Sequence, residues 1–396
     1  MIYNARSSLG AIALAPLVSA AVLDLPITFR NTYAIVDVAI GTPAKTHSLM
    51  FDTGSATAWI VDAECAEDCN NDSGWSRDGY NRNESSSSSE LGTYAEISYL
   101  GGVTSGPGVA DTFSLGDAKW SQSFMDANES SWTVLPADGF LGLAFSTITD
   151  AGTKTMVETM MQAHLLDEPR FSIYYGTELN DTGNAAGKGV LTIGGSEEEK
   201  YVDGDLTWVP LQRINGEYEV WRSTLRILTG SEGISGNGSS TDTQFYPDDA
   251  WGVFDSGAGT ITVPPLQVDA LYQSIGMNYT AILNGDHIPL CTEFNSSWSV
   301  SFTFGDDDAS ASTVTITGDQ LARPGFAYRD DACNPPFDGG HTDGFFLFGT
   351  ALLNQFYTVF DFGAENVEDY EPRVGFGQLK EDTFELTQLL GQDCEK

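Results

Sequence analysis

One local pattern occurs twice in this chain, and it limits the folds available more than any other feature. Leu49-Met50-Phe51-Asp52-Thr53-Gly54-Ser55 and Gly252-Val253-Phe254-Asp255-Ser256-Gly257-Ala258 each set an acidic residue at the end of an apolar run, then a hydroxyl residue, then glycine. A second element follows each copy, Asp138-Gly139-Phe140-Leu141-Gly142 and Asp343-Gly344-Phe345-Phe346-Leu347-Phe348-Gly349. From Asp52 to Gly142 is 90 positions and from Asp255 to Gly349 is 94. Two elements recurring in order at nearly equal spacing imply two homologous halves. The Asp-Thr-Gly triplet alone would carry nothing. Asp181-Thr182-Gly183 repeats it without apolar flanks and reads as an exposed turn, so it is rejected as a site.

The rest of the sequence reads as strands and turns. Residues 33–40, 49–51, 57–61, 171–175, 190–195, 298–304 and 313–317 are short, β-branched or aromatic, and bounded by Gly, Asn, Asp or Pro. Helical periodicity is confined to residues 154–166 and to 266–275 after Pro264-Pro265. The five-serine run at 85–89 reads as a solvated turn. The expected class is all-β.

Charge narrows the partners. With 18 Lys+Arg against 56 Asp+Glu the net charge is −38, which excludes a basic face for nucleic acid and disfavours an anionic membrane surface. Disorder is the other reading of such acidity, but 41% hydrophobic residues with 8 Trp, 15 Tyr and 22 Phe call for a packed core. An excess of carboxylates suits acidic surroundings, where many protonate.

The N-terminus points to an oxidising, secretory route. Arg6 precedes an uncharged, apolar stretch ending in Val18-Ser19-Ala20, which reads as a signal peptide over residues 1–20. Seven sequons begin at Asn71, Asn83, Asn128, Asn180, Asn237, Asn278 and Asn295 and are expected glycosylation sites. Among five cysteines, Cys65 and Cys69 form a close pair that could also hold a metal, although no second ligand pair lies near in sequence. Cys394 is left over, free or paired between molecules. The charged C-terminus lacks an apolar tail, so no membrane anchor is expected.

With these motifs assembled, residues 30–380 resemble the pepsin-like aspartic proteases. Ile40-Gly41-Thr42-Pro43, Ile97-Ser98-Tyr99, Gly142-Leu143-Ala144-Phe145, Ile193-Gly194-Gly195, Thr207-Trp208-Val209-Pro210, Phe356-Tyr357-Thr358-Val359-Phe360-Asp361 and Arg373-Val374-Gly375-Phe376 look like the family in order. The resemblance implies a bilobal fold, with an N-terminal lobe over 21–198, a C-terminal lobe over 199–396 and a substrate cleft between them. It implies an aspartic endopeptidase that cuts extended polypeptides at bulky apolar residues in acid. It also implies inhibition by pepstatin-like molecules, no metal or cofactor, and a monomer. Secretion, or retention in an acidic vacuole, would follow.

Peptide hydrolysis without a metal or covalent nucleophile needs one group to deprotonate water and another to protonate the carbonyl. Two carboxyls sharing a proton do both, because like charges held close do not both ionise. Asp52 and Asp255 are the candidate dyad and titrate as a pair. Gly54 and Gly257 are expected to permit tight turns. By resemblance, Thr53 and Ser256 bond across the interface, and Ser55 bonds Asp52. Tyr99, Leu100, Gly101 and Gly102 would form a flap over substrate, with Trp59 as the indole partner of Tyr99. The disulfides implied are Cys65–Cys69 and Cys291–Cys333, the wider worth roughly 3–4 kcal/mol in a chain-entropy treatment.

Three departures stand out. Leu100 occupies a position where the family usually has Gly, and a bulky apolar residue there bears on substrate preference. Ala258 lacks the hydroxyl many relatives have, which should raise the dyad's apparent pKa. Only residues 21–32 separate Ala20 from the first strand, with Arg30 their sole basic residue, where a basic prosegment is usual. Activity is then controlled otherwise, or the true start lies elsewhere. A non-catalytic binding protein on the same fold would usually have lost an Asp or Gly from one motif, and neither is lost. A serine or zinc hydrolase fails for want of Gly-x-Ser-x-Gly and His-Glu-x-x-His, with only His47, His164, His287 and His341 in the chain.

Overall fold

Short apolar strands cannot bury themselves singly, so they pair into sheets that share a core. The computed structural model describes residues 21–176, 189–233 and 240–380. Strand outweighs helix, 42% to 16%, and the fold is the bilobal all-β one expected. The expected signal peptide, Asn180, Asn237, Asp181-Thr182-Gly183 and Cys394 lie outside the described residues.

The repeat in sequence is a repeat in topology. In a nine-stranded sheet, Lys45–Asp52 runs parallel to Gly139–Gly142, which pairs antiparallel with Trp59–Val61 on its other side. In an eight-stranded sheet, Trp251–Phe254 runs parallel to Phe345–Phe348, which pairs antiparallel with Ile261–Val263. Each later Gly strand is thus inserted beside the acidic strand of its own copy, and the two acidic residues emerge at equivalent sheet ends.

A third, six-stranded sheet joins the halves. It contains Leu23–Pro26, Val190–Ile193 and Arg170–Tyr174, followed across the seam by Phe356–Asp361, Arg373–Gln378 and Thr207–Pro210. The seam pairs Phe171 with Phe360, whose rings stack at 4.8 Å. Residues 21–32 are not loose leader: Leu23–Pro26 is an edge strand here, and Thr28–Arg30 pairs with Tyr33–Ile40.

Two expectations are revised by local physics. The helix read over 154–166 spans only Met156–Gln162. His164 takes φ 52°, which no helix continues, and Leu166 turns away to bridge Ala21. The serine run is more than a solvated turn. Ser85 Oγ accepts from the Thr42 N–H at 2.9 Å, and Ser87 Oγ donates to Asp111 at 2.6 Å. Burial would raise the pKa of Asp111, but the hydroxyls of Ser87, Ser85 and Tyr80 outweigh it and lower the pKa. The helix at 265–274 is close to expectation, opening on Pro265 at its first turn.

Both disulfides implied by the resemblance are formed, Cys65–Cys69 and Cys291–Cys333, so the first pair is not a metal site. No helix among the described residues is long and apolar enough to cross a membrane. Asn83, Asn128, Asn278 and Asn295 are exposed. Asn71 is half-buried, donating to the Trp75 carbonyl at 2.6 Å and accepting from Ser73.

Two buried carboxyls tie stability to acid. Asp126 is pushed up to about 7, first by burial and then by the charge of Asp62. Its Oδ1 has no hydrogen-bond partner among the described residues. Asp138, 3.9 Å from His47, is pushed up to about 6 by burial, against the N–H groups of Asp78 and Ser48. A raised folded-state pKa means that the native state holds its proton more tightly than the unfolded chain. Its stabilisation is complete below the unfolded value near 4 and is lost as pH rises towards 6 and 7, at about 1.4 kcal/mol per pH unit per group. Thermal unfolding should therefore show a melting temperature that falls from pH 4 to pH 7. Asp126→Asn should flatten that fall by about one proton's share, and an unchanged slope in the variant would refute the assignment.

Candidate active site

Asp52 ends the strand Lys45–Asp52, and Asp255 follows directly on Trp251–Phe254. Each carboxylate is held first by its own turn. The Gly54 N–H donates to Asp52 Oδ1 at 2.8 Å, and the Gly257 N–H donates to Asp255 Oδ1 at 2.8 Å. The two turns are then locked to one another by four bonds across the interface. The Thr53 N–H donates to Ser256 Oγ at 2.9 Å, and the Ser256 N–H donates to Thr53 Oγ1 at 2.8 Å. Thr53 Oγ1 donates onward to the Phe254 carbonyl at 2.7 Å, and Ser256 Oγ to the Phe51 carbonyl at 3.1 Å. Each hydroxyl accepts from one turn and donates to the strand of the other half. A hydroxyl does both where a methyl does neither, which is why the motif needs Thr or Ser between Asp and Gly.

The glycines lie in tight turns as expected, but backbone freedom is not what requires them. Neither Gly54 nor Gly257 adopts a left-handed φ. Space is what excludes a side chain. A Cβ on Gly54 would lie 2.4 Å from the Asp255 carboxyl carbon, and one on Gly257 would lie 2.6 Å from Asp52 Oδ1. Each glycine is the floor on which the opposite carboxyl rests, so the two acids face one another across the pseudo-twofold.

The pair is asymmetric. Ser55 Oγ donates to Asp52 Oδ2 at 2.5 Å, whereas Ala258, the equivalent position, offers Asp255 only its backbone N–H. Asp255 is raised well above the usual carboxylate range, first by burial, then by the charge of Asp52 and the hydrogen bond between them. The N–H groups of Gly257 and Ala258 only partly oppose this. Tyr175, an aromatic at the end of a core strand, carries a buried hydroxyl without a hydrogen-bond partner among the described residues. Its pKa is raised by burial and then by the charges of Asp255 and Asp52. Nothing in the sequence separated it from its core neighbours.

Above the pair lies a hairpin of Ser89–Ser98 and Val103–Leu115, with Ser98 opposite Val103. Its turn closes where the Tyr99 N–H donates to the Gly102 carbonyl at 2.8 Å. Leu100 projects from the tip, 92% exposed. Gly101 and Gly102 rest on the indole of Trp132, where a Cβ would stand 2.6 and 3.1 Å from ring atoms. They give close contact as well as a turn. Trp132 was not singled out in the sequence, since a lone aromatic after a sequon carries no pattern.

Tyr99 packs on Trp132 and Phe140, with ring centroids 5.8 and 5.2 Å apart. The hydrogen bond expected between Tyr99 and Trp59 is not formed. The Tyr99 hydroxyl and the Trp59 indole N–H are both buried without a partner among the described residues. The Trp59 ring stacks on Phe140 at 4.9 Å. Burial and then the charge of Asp52 raise the Tyr99 pKa, while Trp59 and Ser55 lie near enough to offset part of that rise.

Between hairpin and dyad is a cleft of about 520 Å³. Met50, Phe140 and Trp132 line it from one half, and Trp251, Phe345 and Leu347 from the other. Its walls are chiefly apolar, with the two carboxyls at the floor.

Comparison with known proteins agrees with this geometry. The sequence pattern of the eukaryotic aspartyl proteases matches residues 32–369. Rhizopuspepsin-2 of Rhizopus niveus is 30% identical over 332 residues, covering 82% of this chain and 75% of that protein. Napsin-A of Mus musculus is 28% identical over 376 residues, 89% of this chain and 79% of that protein. Cathepsin D of Chionodraco hamatus is 27% identical over 352 residues, 87% and 80% respectively. A match of that extent, over a chain whose two halves present one Asp-hydroxyl-Gly turn each to a common cleft, places it in the eukaryotic aspartyl protease family, as an aspartic-type endopeptidase.

Proposed function

We propose that this endopeptidase cuts extended polypeptides in acid by means of a water held between Asp52 and Asp255, beneath the 99–102 hairpin tip. The observation that carries the reading is the reciprocal Thr53–Ser256 lock, which holds two buried carboxyls against each other. With one proton shared between them, one carboxyl takes a proton from the attacking water as its oxygen bonds to the scissile carbon. The other carboxyl gives its proton to the carbonyl oxygen, so a neutral gem-diol forms. Collapse of that diol returns a proton to the dyad, breaks the C–N bond and protonates the leaving nitrogen. Burial and the neighbouring charge favour the proton on Asp255 at the outset. The hairpin excludes bulk water once substrate is seated. The apolar walls favour bulky apolar residues around the scissile bond, and pepstatin-like peptides fit the same requirements. Buried carboxyls that stabilise the fold in acid support a secreted or vacuolar acidic setting.

The direct test is digestion of an unfolded protein substrate at about pH 4, with wild type, Asp52→Asn, and wild type plus pepstatin. Loss of proton transfer should cost Asp52→Asn roughly 10²–10⁴-fold in kcat. Cleavage that survives the substitution would rule out the dyad, and a folded wild type that cuts nothing would favour a binding protein on this fold.

Two further outcomes follow from the departures. Ala258→Thr adds a donor to the ionised dyad and should move the acid limb of the pH–kcat/KM profile to lower pH; coincident limbs would count against it. Leu100→Gly should reduce kcat/KM for peptides with bulky apolar residues by roughly three- to tenfold, mainly through KM, as apolar contact at the tip is lost. Steady-state kinetics on paired apolar and small-residue peptides would show whether the loss is selective.

A further inference from the structure

The cleft carries a third carboxylate that the dyad mechanism does not use. Asp150 lines the cleft wall beside Ile148 and Thr57. Its backbone is fixed from several sides. The Asp150 N–H donates to Thr57 Oγ1 at 2.8 Å, and its carbonyl accepts from the Thr153 hydroxyl at 2.7 Å and the Thr153 N–H at 3.0 Å. The next residue, Ala151, is buried at φ 53°, a left-handed conformation that a residue with a Cβ adopts only where its surroundings impose it. The surroundings do so: the Ala151 carbonyl accepts from Thr93 Oγ1 on the hairpin, and a Cβ on Gly108 would overlap that carbonyl. The turn is pressed against the base of the hairpin, and this sets where Asp150 stands.

The side chain, by contrast, has no partner. No hydrogen bond or ion pair to the Asp150 carboxylate is made by any described residue, and the group is exposed to the cleft. No Lys, Arg or His is among the residues lining the cleft. A carboxylate held in place on a partly apolar wall, with its charge uncompensated, is arranged to meet a cation brought by something else. Its reach covers the site itself, because its charge adds to that of Asp52 in raising the Tyr99 pKa.

We infer that Asp150 is a specificity-determining residue which selects substrates carrying a lysine or arginine at one subsite along the cleft wall next to Thr57. The inference rests on the endopeptidase reading above and sharpens it. The cut still falls among apolar residues, and one flanking position is basic. An Nζ or guanidinium group would donate to the carboxylate as a charge-assisted bond, sheltered once the hairpin covers the substrate.

The test uses the full enzyme and peptides built on one apolar cleavable core, with lysine, norleucine or glutamate placed in turn at each position flanking the scissile bond. The reading is the lysine-to-norleucine ratio of kcat/KM at each position, taken at the highest pH where the core peptide is still cut. Wild type should favour lysine at a single position by roughly five- to tenfold. Asp150→Asn should bring that ratio to about one, and Asp150→Glu should retain most of it. Pepstatin-sensitive cleavage of the norleucine peptide reports that each variant is folded. A lysine ratio near one at every position in wild type, or a preference unchanged in Asp150→Asn, would overturn the inference while leaving the endopeptidase intact. Failure of wild type to cut any of the peptides would overturn the endopeptidase reading, and the inference with it.

Discussion

The structure depends on keeping two carboxyls close together away from water, an arrangement that electrostatics opposes. Burial disfavours ionising either one, and each disfavours ionising the other. What holds them is a set of neutral hydrogen bonds between the turns that carry them. Thr53 and Ser256 each use backbone N–H and side-chain hydroxyl, and each hydroxyl both accepts and donates. The rest of the fold delivers those two turns to one place. Each comes from an acidic strand braced by a parallel partner, and the six-stranded sheet fixes one half against the other.

Much of this was legible in the sequence because it was written twice. A duplicated motif with a duplicated later element specifies both the fold and its pairing axis, and the structure places the elements at equivalent positions in two sheets. What escaped was information that exists only between segments distant in sequence. Gly54 and Gly257 suggested backbone freedom, but they are needed because a carboxyl from the other half occupies the space of a side chain. Trp132 and Asp150 sit in stretches without periodicity, and only the folded wall shows what they face. The Tyr99–Trp59 bond was expected from resemblance, yet the two polar groups, though neighbours, do not close it. The helix near residue 160 overran because a left-handed His164 leaves no mark in a pattern of apolar residues.

Acidity serves this protein at two scales. Over the whole sequence, a formal charge of −38 is relieved as carboxylates protonate. In the interior, Asp126 and Asp138 favour the native state while they keep their protons. Fold and proposed dyad thus ask for the same solvent. Asp111 runs the other way, its carboxylate favoured by three hydroxyl groups, so acid does not stabilise every part of the molecule equally.

The seam between Phe171 and Phe360 has a consequence for the order in which the molecule is made. These paired residues stand 189 positions apart, and Thr53 and Ser256 stand 203 apart. A ribosome must release residues through Phe360 before the seam can close, and contacts of such long range are slow to form. Until then Asp52 has no counterpart, and the first half, complete in its own motif, lacks half of the proposed pair.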